Sequence, residues 1–260
     1  MPISQFERPA FEIHRDYENS NKIESDWGAN IFPNQIVHGE IHEPAPPYII
    51  LLQGPPNVGK SLLIKSLVKH FEHVNDVRSP ITIVTGVKRR RIQFVECPDD
   101  INAMIDAAKY ADVVLLMVDA SYGFEAETFE FLNLLRVHGF PKVMGVATHL
   151  DELKDETELK ETKERLQDHF STEICQGATL SYLSGLDRDL YKMREIQKLA
   201  EVISDSKFLP SSWRAAHPYV LVDRFEDDTP AERVQKDTNC DRTISLYGYL
   251  RGCNIKSGAK

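Results

Sequence analysis

Tyr48-Ile-Ile-Leu-Leu-Gln-Gly-Pro-Pro-Asn-Val-Gly-Lys-Ser61 decides the fold. The apolar run Tyr48–Leu52 is too short for a helix and has the length of a buried strand. It leads into Gly54-Pro55-Pro56-Asn57-Val58-Gly59-Lys60-Ser61, which fits G-x-x-x-x-G-K-[ST]. A helical pattern then begins at Lys60 and runs to Phe71. Strand, Gly-rich turn and helix in that order are the context that gives this spacing its meaning. Gly54 and Gly59 let the main chain wrap closely round a phosphate, with N–H groups pointing inward. The helix N-terminus adds its positive dipole end. Lys60 supplies a cation for β- and γ-phosphates, and the Ser61 hydroxyl is a ligand for Mg²⁺. A phosphate site is therefore expected over Gly54, Pro55, Pro56, Asn57, Val58, Gly59, Lys60 and Ser61.

Downstream, short apolar runs alternate with helical stretches. Strands are expected at Ile81–Thr85, Ile92–Glu96, Val113–Asp119, Lys142–Thr148 and Thr179–Leu183. Helices are expected at Ile101–Tyr110, Glu125–His138, Glu158–Phe170 and Tyr191–Asp205. Strands that are apolar throughout need cover on both faces, so the expected fold is α/β: a three-layer α/β/α sandwich with a mostly parallel sheet. Gly86–Arg91 is too short for a helix crossover, so the two strands it joins should form an antiparallel hairpin. Beyond Leu209 two further strands, Tyr219–Val222 and Thr243–Leu250, read as the opening of a truncated β-barrel. The expected division is an irregular extension over 1–47, a nucleotide-binding domain over 48–208 and a partial β domain over 209–260.

The base is chosen elsewhere. Thr148-His149-Leu150-Asp151 follows a buried-strand pattern, and a carboxylate there can accept from guanine N1–H and its exocyclic amine. Adenine offers no such donor pair, so a site built on that carboxylate discriminates against it. Asp151 reads equally as a solvated helix-capping residue ahead of Glu152 and Lys154. Ser184-Gly185, after the next strand, could present backbone N–H groups to guanine O6.

Together these residues resemble the guanine-nucleotide-binding domain of translation-factor-type GTPases. Arg78–Ile83 resembles their first switch, with Thr82 at the position that closes on Mg²⁺ and the γ-phosphate. Phe94–Asp100 resembles the second switch, and Thr148–Asp151 the base-specificity motif. More narrowly, Gly145–Asp151 (GVATHLD), Ala120–Val137, His217–Asp227 and Leu246–Arg251 (LYGYLR) are similar to the Bms-type ribosome-biogenesis GTPases, over roughly Pro46 to Lys260. The resemblance implies GTP/GDP and Mg²⁺ as ligands. Lys60 and Thr82 would then be the catalytic pair, and Ser61, Thr82 and Glu96 would hold the metal. It also implies a nuclear, nucleolar assembly factor of the small-ribosomal-subunit precursor, associated with pre-rRNA, snoRNA and an RNA-cyclase-like processing factor. The known members are much longer, and the segment they use for that factor lies beyond Lys260.

The departures from the general pattern carry chemistry. Glu96 stands for the usual Asp, one methylene longer and still within reach of Mg²⁺ through a water. Asp99 replaces a Gly and puts a carboxylate near the γ-phosphate position. Asp100 stands where a water-orienting His is usual, so hydrolysis should be slow without a partner. Thr148 and His149 replace the Asn and Lys of the base motif, leaving Asp151 to carry the guanine preference. Two rival readings are a nucleotide-binding scaffold without a hydrolysis cycle and an unrelated P-loop ATPase or kinase.

Composition bounds the rest. Lys+Arg is 31 against Asp+Glu 40, a formal charge of −9, so the chain does not coat nucleic acid through bulk charge. Lys88-Arg89-Arg90-Arg91 is the one dense basic run, readable as an RNA contact or as a solvated turn. Cys97, Cys175, Cys240 and Cys253 show no metal-ligand spacing and are expected as reduced thiols. Met1–Ala10 lacks the basic start and apolar stretch of a signal peptide. No apolar run approaches the ~20 residues of a membrane helix.

Overall fold

The computed structural model describes residues 46–72, 79–85, 90–153, 155–174, 178, 180–208 and 212–255. The expected extension up to residue 45, the turn at 86–89 and Cys175 lie outside these residues. In chain order the first elements are β1 (Tyr48–Gln53), α1 (Lys60–Glu72), β2 (Ile81–Thr85), β3 (Arg90–Glu96), α2 (Ile101–Tyr110) and β4 (Val113–Asp119). There follow α3 (Ala126–His138), β5 (Lys142–Thr148), α4 (Glu156–Glu173), β6 (Leu180–Tyr182), β7 (Leu186–Asp187), β8 (Leu190–Tyr191) and α5 (Met193–Asp205). The last are α6 (Ser212–Ala216), β9 (Tyr219–Asp227), α7 (Ala231–Lys236) and β10 (Ile244–Arg251).

Six strands form one sheet in the order β2-β3-β1-β4-β5-β6. Every neighbouring pair is parallel except β2 and β3, which run antiparallel as the short connection requires. The parallel strands are apolar on both sides because both sides are covered. Ile50 and Leu52 of β1, with Val113, Leu115 and Met117 of β4, pack against Leu63, Ile64 and Leu67 of α1 and Ile196, Leu199 and Ile203 of α5. The alternate residues Leu51, Val114 and Leu116 pack with Met104 and Ala107 of α2 and Phe131, Leu132 and Leu135 of α3. Two helical layers thus enclose the sheet, and the C-terminal ends of β1, β3, β4 and β5 open on one edge.

The chain divides into two compact units, one over Pro47–Trp213 and one that includes Arg214–Lys260. In the second, β9 and β10 form an antiparallel ribbon whose register shifts between Tyr247 and Gly248. β9 extends past the expected Val222 to Asp227 although Asp223–Asp227 is mostly charged. Cross-strand contacts hold that extension: the Arg224 guanidinium lies 5.0 Å from the Tyr247 ring, and the Tyr247 hydroxyl donates to Glu226 Oε2 at 2.9 Å.

Other elements depart from the sequence reading. α5 starts at Met193 because Tyr191 is paired with Leu186 in the β7–β8 ribbon, which turns through Arg188 and Asp189, both at positive φ. α4 starts two residues early because Asp155 caps it, accepting from Thr157 N–H at 3.1 Å. Arg90 of the basic run is committed to structure: it donates to the carbonyls of Ser204, in the last turn of α5, and Ser206, just past its end, and lies 5.5 Å from the Phe208 ring. Arg90 thus has a structural role at the terminus of α5, while Lys88 and Arg89 lie outside the described residues. No helix among the described residues is long and apolar enough to cross a membrane.

Candidate functional site

The site is built where β1 hands over to α1. Cβ atoms are excluded from both glycine positions of the turn. At Gly54 a Cβ would stand 2.7 Å from the Met117 carbonyl of β4, and at Gly59, where φ is +94°, it would run into the Tyr191 hydroxyl. Asn57, also at positive φ (63°), bends the loop between them. Val58 is buried beneath it, and its N–H donates to the Pro55 carbonyl at 3.4 Å. Pro56 and Asn57 form the exposed rim. The result is a close main-chain curve at a helix N-terminus, the shape that holds a phosphate.

Lys60 is turned back into this curve. The side chain is only 7% exposed, and its ammonium donates to the carbonyls of Gly54 (2.8 Å) and Pro55 (3.3 Å) and to Asp99 Oδ1 (2.8 Å). Ser61, one residue on, donates to both oxygens of Glu96, at 3.0 and 2.8 Å. The hydroxyl keeps its lone pairs and the carboxylate its charge, so the pair is a hard-oxygen donor set suited to Mg²⁺. Among the described residues no cluster of three His, Cys, Asp or Glu could hold a metal alone. A cation here would therefore share its shell with phosphate oxygens and water, as Mg²⁺ does.

Thr82 is not brought to that pair. It lies in the β2 ladder opposite Gln93, three positions from Glu96, about 10 Å along the strand at 3.3 Å per residue. The hydroxyl beside Glu96 belongs to Ser79, whose Oγ accepts from the Glu96 N–H at 2.9 Å. Asp100 is also placed differently from a water-orienting group. Its Oδ2 accepts from Ala103 N–H at 3.1 Å and caps α2.

On the base side, Thr148 ends β5 fully buried, with its hydroxyl 3.5 Å from the Val118 carbonyl. His149 follows in the left-handed region (φ 56°), and its Nδ1 lies 2.8 Å from Asp119 Oδ2 at the end of β4. Asp119 also accepts from Ser121 N–H through its other oxygen, at 2.8 Å. Asp151 sits exposed in the 3₁₀ turn Leu150–Glu152, beside Gly185, where a built Cβ would stand 3.0 Å from its carboxyl carbon. The cap of the following helix is Asp155, which removes the capping role weighed for Asp151.

Ser184 is narrowed rather than supported as an O6 contact. Its N–H donates to Glu195 Oε2 at 2.9 Å, its hydroxyl to Oε1 at 2.5 Å, and the Lys192 ammonium reaches that hydroxyl at 2.8 Å. The Ser184 amide is thus spent on α5, and Gly185 is the member of the pair that faces Asp151. Tyr191 ties the two halves together. It touches Gly59, its N–H donates to Ser66 of α1 at 3.3 Å, and burial with the nearby Asp151 charge pushes its phenol up to about 12. Cys97, fully buried behind Lys60, is likewise pushed up to about 12 by desolvation, so it is a packing thiol.

Sequence reasoning missed Asp119, Tyr191 and Glu195. Asp119 is the polar end of an apolar strand, which is a usable signal; Tyr191 and Glu195 carry none.

A parallel sheet with a glycine-bounded phosphate loop, a buried loop lysine and an adjoining Ser–carboxylate pair defines a P-loop nucleotide-binding protein. Comparison with known proteins places it within that class. Residues 77–213 match the Elongation factor Tu GTP binding domain, and the chain belongs to that family. Residues 207–260 match the AARP2CN (NUC121) domain. The chain is 51% identical over 214 residues to the human protein named Ribosome biogenesis protein BMS1 homolog, covering 82% of this chain and 17% of that protein. It is 50% identical over 216 residues to Ribosome biogenesis protein BMS1 of Saccharomyces cerevisiae, covering 82% and 18%. The Xenopus laevis protein named Pre-rRNA-processing protein TSR1 homolog is 26% identical over 195 residues. The chain spans less than a fifth of the length of the BMS1 relatives.

Proposed function

We propose that this chain binds GTP and GDP together with Mg²⁺, hydrolyses GTP slowly, and serves the assembly of the small ribosomal subunit. The observation that carries the reading is the convergence of Lys60, Ser61 and Glu96 on one phosphate loop, with Asp151 and Gly185 on its base side. Mg²⁺, when bound, neutralises phosphate charge. The chain's own groups do the rest: the loop amides seat the phosphates, Lys60 offsets their charge, and the Asp151 carboxylate accepts from the two guanine donors. Slow turnover follows from Asp100, which caps a helix where translation-type enzymes orient water. The names of the relatives, which speak of ribosome biogenesis and pre-rRNA processing, support a role on pre-ribosomal particles. The nucleus and nucleolus as its place, and pre-rRNA, snoRNA and an RNA-cyclase-like factor as its partners, are what the Bms-type resemblance implies. In this reading residues 48–208 are the nucleotide domain, 209–260 open a β-barrel and 1–47 extend from the start.

The test is competition for a fluorescent guanine nucleotide in the presence of Mg²⁺. GTP and GDP should displace it, ATP should not, and Lys60→Ala should abolish binding. Equal displacement by ATP would remove the guanine reading.

A further inference from the structure

Lys60 has three N–H donors, and three acceptors surround it: the carbonyls of Gly54 and Pro55, and Asp99 Oδ1. The two carbonyls are parts of the loop and cannot leave it. Asp99 is different. It reaches in from the segment after β3, and its side chain is 51% exposed, so it can rotate into solvent. Its backbone is pinned on both sides. Cys97 N–H donates to the Leu52 carbonyl at 2.9 Å, and Asp100 is fixed as the cap of α2, with its carbonyl accepting from Met104 N–H at 2.9 Å. Asp99 is thus a carboxylate on a fixed anchor with a single mobile arm, held against the one buried cation of the phosphate loop.

We propose that Asp99 is a specificity-determining residue, an internal anion for Lys60 that stays in place beside a nucleoside diphosphate and must be displaced by a triphosphate. The proposal rests on the reading of Lys60 as the phosphate-binding lysine. A β-phosphate oxygen adds one acceptor, which Lys60 meets by releasing the longer bond to the Pro55 carbonyl. A γ-phosphate adds a second acceptor and further negative charge on the ground that Asp99 holds. Two anions cannot share one ammonium at close range without repulsion, so the carboxylate must swing out. The diphosphate is therefore the favoured ligand, and triphosphate loading is coupled to the release of Asp99.

The experiment measures equilibrium dissociation constants for fluorescent GDP and GTP, and for ADP as a base control, with Mg²⁺. It uses the full chain and its Asp99→Asn and Asp99→Gly variants. Thermal melts without added nucleotide report that each variant is folded, and Asp99→Gly serves if the Asn variant is not. The wild-type chain should hold GDP more tightly than GTP. Removing the carboxylate should raise GTP affinity about tenfold while moving GDP less than about threefold, the scale expected for one charge at close range in a partly exposed site. A GTP-to-GDP ratio unchanged in both variants, with GDP still preferred over ADP, overturns the proposal alone. Failure of the wild-type chain to prefer GDP over ADP, or to bind either, overturns the nucleotide reading and this proposal with it.

Discussion

A methyl group added at Gly59 would meet two separate penalties. Its φ of +94° is unfavourable for any L-residue, and the methyl would collide with the Tyr191 hydroxyl, whereas the ring carbon bearing that hydroxyl is 3.4 Å away. Gly59→Ala should therefore cost about 2–4 kcal/mol in urea unfolding, from backbone strain and overpacking together. Adding Tyr191→Phe should recover the steric share and leave the strain, a non-additive pair in a double-mutant cycle. Simple additivity would show that the tyrosine does not abut the loop. At Asp151, replacement by Asn turns a pure acceptor into a group that also donates. Asp151→Asn should weaken GTP by about tenfold or more and favour xanthosine triphosphate, whose ring offers the complementary acceptor. Unchanged selectivity in a competition titration would remove Asp151 from the base site. The phosphate loop was legible because its spacing is itself the chemistry. The structure does not bring Thr82 to the Ser61–Glu96 pair, and the sequence could not show this, because a hydroxyl three ladder positions away looks the same there as one beside the pair; only the β2–β3 register separates them. Tyr191 was hidden because it sat inside an apparent helix.

At the scale of elements, α2 begins at a residue whose role has two readings. Asp100 caps the helix through its side chain, and Ala at a cap position costs about 1 kcal/mol while Asn costs little. Asp100→Ala should lower the unfolding free energy measured in urea by that amount, and Asp100→Asn should preserve both that stability and the rate of GTP hydrolysis. A stable Asn variant with much slower hydrolysis would instead give Asp100 a part in the chemistry. The same logic explains which elements the sequence disclosed. β1, β4 and β5 are buried on both faces, so they read as uninterrupted apolar runs, and β4 and β5 have the expected bounds. The β7–β8 ribbon escaped notice because each strand is two residues long. Its turn also places Arg188 and Asp189 at positive φ, where Asn-Gly would have announced it.

For the molecule as a whole, the buried acids beside the loop set a limit at high pH. Cys97 and Tyr191 are pushed from ordinary values of 9.0 and 10.0 up to about 12, in both cases chiefly by burial. Below pH 9 both groups carry their protons whether the chain is folded or not, so they leave stability independent of pH. Between the ordinary and the raised values the unfolded chain has lost those protons while the folded chain still holds them. The unfolded state then binds fewer protons, and stability falls as pH rises, by about 1.4 kcal/mol per pH unit for each such group. Repulsion adds to this, because a chain already at a formal −9 becomes more negative as its lysines deprotonate. Urea melts at pH 8, 9.5 and 11 should show stability declining from about pH 9 and more steeply above 10. The lysine contribution is common to wild type and variants, so the comparison isolates the two buried acids. Cys97→Ala should flatten the curve from about pH 9 upward, and Tyr191→Phe only from about pH 10. Curves that stay parallel to wild type in both variants would mean that neither group is held neutral by the fold.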